Sequence, residues 1–375
     1  MKRFDVYPLF DIQPVSGRGA YIYDKAGIKY LDFYGGHGVI SIGHSHPYFT
    51  KAISEQAEKL AFYSNSIINP LQDELAQKLG QASGLNDYQL FLVNSGAEAN
   101  EAALKLASGV TGRKKIVCLE NGFHGRTALA IAATDNSKYH TPMNDLTIIE
   151  RVPINNIEAI KKVLTEEVAA VIVEGIQGIA GIYPPDVEYL EELSALTKNN
   201  GTLLILDEVQ SGYGRAGEFF AFQYSAIKPD VISMAKGMGN GFPIGGIAVA
   251  PHIAPPSGLL GTTFGGNHLA CAAGIAVLDI LKQENLVKNS KELGDLVMKE
   301  LSEVSSAKAL RGKGLMIGIE FDFPIAELRK KLLFDHKIFT GNSFNANTLR
   351  LLPPLSIAER EVDIFMTALK NVLSN

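Results

Sequence analysis

Apolar and polar residues alternate through the first fifty positions, as in Gly19-Ala-Tyr-Ile-Tyr-Asp-Lys-Ala-Gly-Ile-Lys-Tyr-Leu-Asp-Phe33, and this period of two predicts a hairpin turning at Asp24 to Gly27. From Pro47 to Leu60 and from Pro70 to Gln81 the apolar positions recur at three and four, which predicts two amphipathic helices. Beyond them the pattern changes. Short unbroken apolar runs (Tyr88 to Val93, Lys115 to Leu119, Val168 to Val173, Thr202 to Leu206, Val231 to Ser233) read as strands buried on both faces. Helical stretches lie between them, notably Asn94 to Ala107 and Val187 to Lys198, so the fold class predicted is α/β with a mostly parallel, doubly wound sheet. Gly246 to Ala250 adds a strand and His268 to Lys282 a helix. From about Leu286 the order becomes helix, strand (Leu315 to Phe321), helix (Ile325 to Leu333), short strand (Thr348 to Pro353) and a closing helix from Ser356 to Leu373. The domain reading is an N-terminal β unit over 1–50 that packs with a small α+β domain over 285–375, and a large domain over 51–284 between them.

Composition narrows the class of function. A chain of 375 residues exceeds one small core, and its 46% hydrophobic and 20% charged residues are ordinary globular material. A formal charge of −5 gives no electrostatic reason to expect nucleic acid or an anionic membrane, which leaves small-molecule chemistry. No apolar stretch is long enough to span a bilayer, and the N-terminus lacks the apolar core of a secretion signal. Cys118 and Cys271 both sit in apolar runs, so buried reduced thiols and a cytoplasmic setting are expected, and the Asn200-Gly-Thr202 sequon reads as accidental.

Candidate chemistry centres on Ile232-Ser-Met-Ala-Lys236-Gly-Met-Gly-Asn-Gly-Phe-Pro-Ile-Gly-Gly246. A lysine entering a crowded, glycine-lined place loses hydration, which favours the neutral amine that attacks a carbonyl; alone, such a lysine reads equally as an exposed loop residue. Asp207 ends one buried strand and Lys236 follows the next, so adjacent strands would deliver both to one crevice. The Val93-to-Gly96 junction is a strand, a tight turn and a helix start, where Gly96 and Ala97 are small enough to admit a phosphate, or where Ser95 simply caps. Phe123 and Arg126 follow the strand ending at Leu119, the end where open α/β sheets bind ligands; Phe123 can cover an aromatic ring and Arg126 can take a carboxylate. Thr262 and Thr263 offer hydroxyls in a second small-residue loop. His37, His44 and His46 lack cysteine company or a helical His-x-x-x-His pair, so no metal is expected. Gly212-Tyr-Gly-Arg-Ala-Gly217 matches a dinucleotide fingerprint, but Asp207-Glu-Val-Gln210 separates it from its strand, which argues against a nicotinamide site.

A buried aspartate, a Schiff-base lysine, a phosphate cradle and a ring-covering residue are together what pyridoxal phosphate needs. The chain resembles the class III (ornithine/acetylornithine type) pyridoxal-phosphate aminotransferases over nearly its whole length. The matching segments are Ser95-Gly-Ala-Glu-Ala-Asn100, Phe123-His-Gly-Arg-Thr127, Asp207-Glu-Val-Gln-Ser-Gly212, Ala235-Lys-Gly237, Gly241-Phe-Pro-Ile-Gly245, Gly261-Thr-Thr-Phe-Gly-Gly-Asn267 and Leu349-Arg-Leu-Leu-Pro-Pro354. The resemblance implies the pyridoxal-phosphate fold type I and the 51–284 domain as the cofactor-binding one. It implies that Lys236 holds the cofactor and shuttles a proton, with Asp207 at the pyridine nitrogen, Gln210 near the ring hydroxyl and Phe123 stacked on the ring. Ser95, Gly96 and Ala97 would surround the phosphate. Thr263 would complete the neighbouring subunit's phosphate site across a homodimer, with Thr262 near the substrate. Arg126, Arg350 and Glu174 would serve the substrates. The implied reaction moves the δ-amino group of an N-acylornithine to 2-oxoglutarate in the cytoplasm; N-succinylornithine, ornithine or 4-aminobutyrate as donor, and a non-catalytic homologue, remain alternatives. One departure stands out. The family usually carries Glu-Pro-x-Gln-Gly-Glu-Gly-Gly, whose second glutamate masks the arginine corresponding to Arg350, whereas here the segment is Glu174-Gly-Ile-Gln-Gly-Ile179-Ala-Gly181. With Ile179 unable to accept that ion pair, Arg350 is expected to stay available; N-acetylornithine stays the implied donor, and an N-succinyl group, which brings one more carboxylate, is the alternative this departure raises.

Overall fold

A computed structural model describes residues 1–374. Its centre is a seven-stranded sheet in the order β4-β10-β9-β8-β7-β5-β6, comprising β4 (Gln89–Val93), β5 (Lys115–Leu119), β6 (Ile149–Val152), β7 (Val168–Glu174), β8 (Leu203–Asp207), β9 (Val231–Met234) and β10 (Gly245–Val249). β6, β5, β7, β8 and β9 run parallel in that succession, and β10 lies antiparallel to both β9 and β4. All of β7 is buried, as its uninterrupted Val-Ala-Ala-Val-Ile-Val run requires of a strand covered by helices on both faces.

Two smaller sheets flank this one. β1 (Pro14–Arg18), β2 (Tyr21–Asp24) and β3 (Lys29–Asp32) form an antiparallel unit, and Asp24 Oδ1 closes the β2–β3 turn by accepting from the amides of Ala26 and Ile28. In the C-terminal stretch, β11 (Ala307–Lys313), β12 (Met316–Phe321) and β14 (Thr348–Leu351) make a three-stranded sheet. The two-residue β13 (Ile338–Phe339) leaves that stretch to pair in parallel with β3, and Phe33 stacks on Phe365 of the last helix, Glu359–Ser374, at 4.8 Å. Arg215, buried and without a carboxylate partner among the described residues, donates to the carbonyls of Leu315, Pro353 and Ile40 and so ties the three regions together. No helix among the described residues is long and apolar enough to cross a membrane, and Cys118 and Cys271 are buried free thiols.

Elements outside the sequence expectation include β1, β6, β11, β13 and the helices Ala128–Ala133 and Ile157–Val163. β11, Ala-Lys-Ala-Leu-Arg-Gly-Lys, opens with five good helix formers and is a strand because β12 offers it a ladder.

Candidate active site

The parallel register that sets Asp207 opposite Ser233 places the ends of β8 and β9 side by side, and Lys236 follows two residues after β9. Lys236 has a φ of 45°, left-handed backbone that a lysine adopts only under constraint. The constraint comes from the N-terminal loop: Ser41 Oγ donates to the carbonyl of Gly237, and Asn240 Oδ1 accepts from the amides of Ser41 and Ile42. Burial lowers the pKa of the Lys236 ammonium; Asp207 and Glu174 oppose that shift and Arg350 adds to it. The neutral, nucleophilic amine is thereby favoured.

Asp207 is 4% exposed and held from three sides. Its Oδ2 accepts from Asn100 Nδ2 at 2.7 Å and bonds His124 Nδ1 at 2.8 Å, and its Oδ1 accepts from the amide of Val209. Asn100 is fixed in turn by Ser233 Oγ, which donates to its Oδ1 at 2.5 Å. Burial pushes His124 down, but the bond to Asp207 and the charges of Asp207 and Glu174 carry it above the ordinary histidine value. Inside the core both oxygens of the Asp207 carboxyl are thus hydrogen-bonded, with His124 as the ring partner. Asn100 and His124 lie within the quoted motifs yet carried no expected role; their signal is only that both are polar residues at positions the fold buries.

The helix Gly96–Thr111 starts where β4 ends, with Ser95 as its cap: Ser95 Oγ accepts from the amide of Glu98. The first intrahelical bond runs from Ala99 N to Ser95 O, so the helix uses neither the Gly96 nor the Ala97 amide. A Cβ on Gly96 would stand 2.5 Å from Val209 Cγ1, so glycine is what lets Val209 close over this helix head. Such an N-terminus presents two free donors and a positive dipole end to a phosphate.

Glu174, at the end of β7, accepts from the amide of Phe123 at 3.0 Å and from that of Gly178 at 2.9 Å. Burial raises its carboxyl to about 7, with His124 and Asp207 acting in opposite senses. Both its oxygens thus brace loops. Phe123 meets Tyr139 edge-on at 6.3 Å, and the exposed Arg126 lays its guanidinium 3.7 Å over the Tyr139 ring with no carboxylate partner among the described residues. Gln210 donates from Nε2 to the carbonyl of His37 and accepts at Oε1 from Arg350 Nη1 at 3.3 Å. Arg350, on β14, is fully buried. No hydrogen bond among the described residues joins Thr262 or Thr263 to this group: their loop is tied to Asn65 and Gln72, Thr262 Oγ1 accepts from the amide of Gly265, and Thr263 is exposed. No cluster of His, Cys, Asp and Glu among the described residues is arranged to hold a metal.

The chain matches the family model described as aminotransferase class-III over residues 5–373. It is 44% identical over 350 residues to the acetylornithine aminotransferase of Archaeoglobus fulgidus, covering 92% of each chain, and 40% identical over 380 residues to that of Aquifex aeolicus, covering 98% of each. Among solved structures it superposes on the ornithine aminotransferase of Toxoplasma gondii with a TM-score of 0.90 at 29% identity, covering 98% of this chain and 91% of that one. A second crystal structure of that parasite enzyme, equally similar, has PLP, pyridoxal phosphate, at partial occupancy in its active site. The residues here fit the same cofactor: a buried, hydrogen-bonded carboxyl for a pyridine nitrogen, an amine shifted towards its neutral form, and unused amides at a helix head for a phosphate. Match and donor set together make the chain a member of the class III, pyridoxal-phosphate-dependent aminotransferases.

Proposed function

We propose that the chain transfers the δ-amino group of N-acetylornithine to 2-oxoglutarate, giving N-acetylglutamate 5-semialdehyde and glutamate, a step of arginine biosynthesis. The observation that carries the reading is the pair of guanidiniums, Arg126 and Arg350, without a carboxylate partner among the described residues in the loops and strand around Lys236. A dicarboxylate acceptor offers one charge to each. The near-full-length similarity to acetylornithine aminotransferases supports the choice of donor.

Pyridoxal phosphate, when bound, supplies the electron sink that lets an amine-bearing carbon lose its proton. The chain does the rest. Lys236 would carry the cofactor, take that proton at Nζ and return it to the neighbouring carbon. Asp207, with His124 and Asn100 behind it, would hold the ring nitrogen; Phe123 would cover the ring, Gln210 would lie near its hydroxyl, and Ser95, Gly96 and Ala97 would surround the phosphate. Arg126 and Arg350 would orient the carboxylates, with Thr262 and Glu174 bordering the substrate. Loop 261–267, exposed at Thr263 and hydrogen-bonded to Asn65 and Gln72, supports a homodimer in which Thr263 completes the neighbour's phosphate site. Buried thiols at Cys118 and Cys271 suit a cytoplasmic setting.

A donor panel with 2-oxoglutarate tests the assignment. N-Acetylornithine is expected to give the highest kcat/KM among N-acetylornithine, N-succinylornithine, ornithine and 4-aminobutyrate; a clear preference for N-succinylornithine would shift the acyl group as the Ile179 departure suggests. Lys236→Ala is expected to lose both the visible absorbance of the bound cofactor and turnover, and a coloured, active variant would refute the role of Lys236.

A further inference from the structure

Arg350 is a buried cation whose partners are all uncharged. Its Nε donates to the carbonyl of Asn342, its Nη1 to Gln210 Oε1 at 3.3 Å and its Nη2 to Tyr34 Oη at 3.3 Å, and no carboxylate lies within ion-pairing distance among the described residues. A buried guanidinium is normally paired, because desolvation is recovered only by an opposite charge. Its surroundings add positive charge, since Lys236 and Arg329 both act on the same pocket, while Tyr34 and Glu174 act against them without pairing the guanidinium to a carboxylate. The position is therefore one that a ligand's carboxylate has to complete.

Both uncharged side chains on Arg350 are held by one residue. Arginine can only donate, so the Tyr34 hydroxyl accepts from it and must spend its single proton elsewhere. Among the described residues the only other partner of that hydroxyl is His37 Nδ1, at 2.5 Å. His37 Nδ1 is therefore the acceptor and the ring is neutral, in keeping with burial and the charges of Arg350, Lys236 and Arg329, all of which lower its pKa. The other relay is equally directional: Gln210 Oε1 can face Arg350 because Gln210 Nε2 donates to the backbone carbonyl of His37 at 2.9 Å. His37 has a φ of 70°, in a run where Gly35, Gly36 and Gly38 are also left-handed, so the turn that aims its ring and its carbonyl is strained. The opposite wall is cut to fit. Gly341, paired through its backbone with Arg350, has no room for a Cβ because the Tyr34 ring occupies that space.

We propose that His37 is the positioning residue for the carboxylate receptor of this enzyme: through Tyr34 and Gln210 it fixes the Arg350 guanidinium with neutral partners, leaving its charge for a substrate that bears a carboxylate on its amine-bearing carbon. This rests on the reading that glutamate and an N-acylornithine share the site. Glutamate carries that carboxylate and the acylornithine does not, so the device acts on one half-reaction.

Glutarate, a dicarboxylate that can neither donate nor accept an amino group, reports the receptor without turnover. Calorimetric titration of the holoenzyme with glutarate is expected to weaken at least ~10-fold in Tyr34→Phe and in His37→Phe, and to stay within ~3-fold of wild type in His37→Asn, which tolerates left-handed backbone and supplies an acceptor oxygen. In single-turnover reactions of the same holoenzymes, the ratio of kcat/KM for glutamate to that for N-acetylornithine is expected to fall ~10-fold in Tyr34→Phe and to recover in His37→Asn. Equal losses with both donors, or glutarate binding that ignores Tyr34→Phe, would overturn the proposal. A wild-type holoenzyme that binds glutarate but takes no amino group from glutamate would instead overturn the reading of the function, leaving the receptor tested by the titration alone.

Discussion

Burial sets the charge of several single residues, and two carboxyls carry a pH dependence of stability. Glu208, next to Asp207, accepts from Ser211 Oγ and from the amide of Phe222, yet burial raises it from 4.5 to about 7, as it does Glu174. Between those two values the folded chain holds a proton that the unfolded chain has released. The contribution is therefore complete below about pH 4.5 and is lost as pH rises through about 7, amounting to about 3 kcal/mol for a shift of this size. Chemical denaturation of wild type and Glu208→Gln at pH 5 and pH 8 checks it: wild type is expected to lose more stability across that interval than the variant, and identical losses would remove Glu208 as the cause. At this scale the sequence was only partly legible. Lys236, Asp207 and Arg350 announce themselves by type and motif, but Asn100 reads as one more polar residue on a helix, and Tyr34 and His37 as loop filling. What makes them matter is a bond to a residue far along the chain, from Asn100 to Asp207 or from Tyr34 to Arg350, and local pattern does not contain it.

Elements were legible where both faces or one full stripe are buried. β7 and β8 could be read directly from apolar runs, and the helices Pro47–Lys59 and Pro70–Ser83 from their period. β6, with Glu150 and Arg151 inside it and only β5 as a neighbour, sits at the sheet edge and lacks that signal. The start of helix Gly96–Thr111 is where element and chemistry coincide, since Ser95 is both a cap and a candidate phosphate contact. The hydroxyl caps through Glu98 N at 3.2 Å. Ser95→Ala is expected to cost about 1 kcal/mol of stability and Ser95→Gly only a few tenths. Cofactor affinity separates the two roles: if equilibrium dialysis shows both variants holding pyridoxal phosphate as wild type does, the hydroxyl is a cap alone, whereas a common loss in both marks it as a phosphate ligand.

At the scale of the whole molecule the unexplained feature is an apolar surface. Phe62, Tyr63, Ile67 and Ile68 are exposed along one loop, Ile68 at 88%, and Phe264 at 60% joins them through a ring contact with Phe62 at 5.4 Å. Asn65 binds the carbonyls of Thr262 and Gly265, so the two loops form one patch that contains the threonine pair. Contiguous apolar surface of this kind marks an interface, and a symmetric dimer is the simplest that would cover it. The homodimer proposal thus predicts that assembly and chemistry fail together. Ile68→Asp buries a charge in that interface, while in a monomer it lies on an exposed position and costs the fold little. Sedimentation velocity is expected to show wild type as a dimer and Ile68→Asp shifted to a folded monomer, with pyridoxal-phosphate affinity and turnover both reduced at least ~10-fold because Thr263 no longer reaches a neighbour. A monomer that keeps full affinity and turnover would show that each chain completes its own phosphate site, and Thr263 would lose its proposed role.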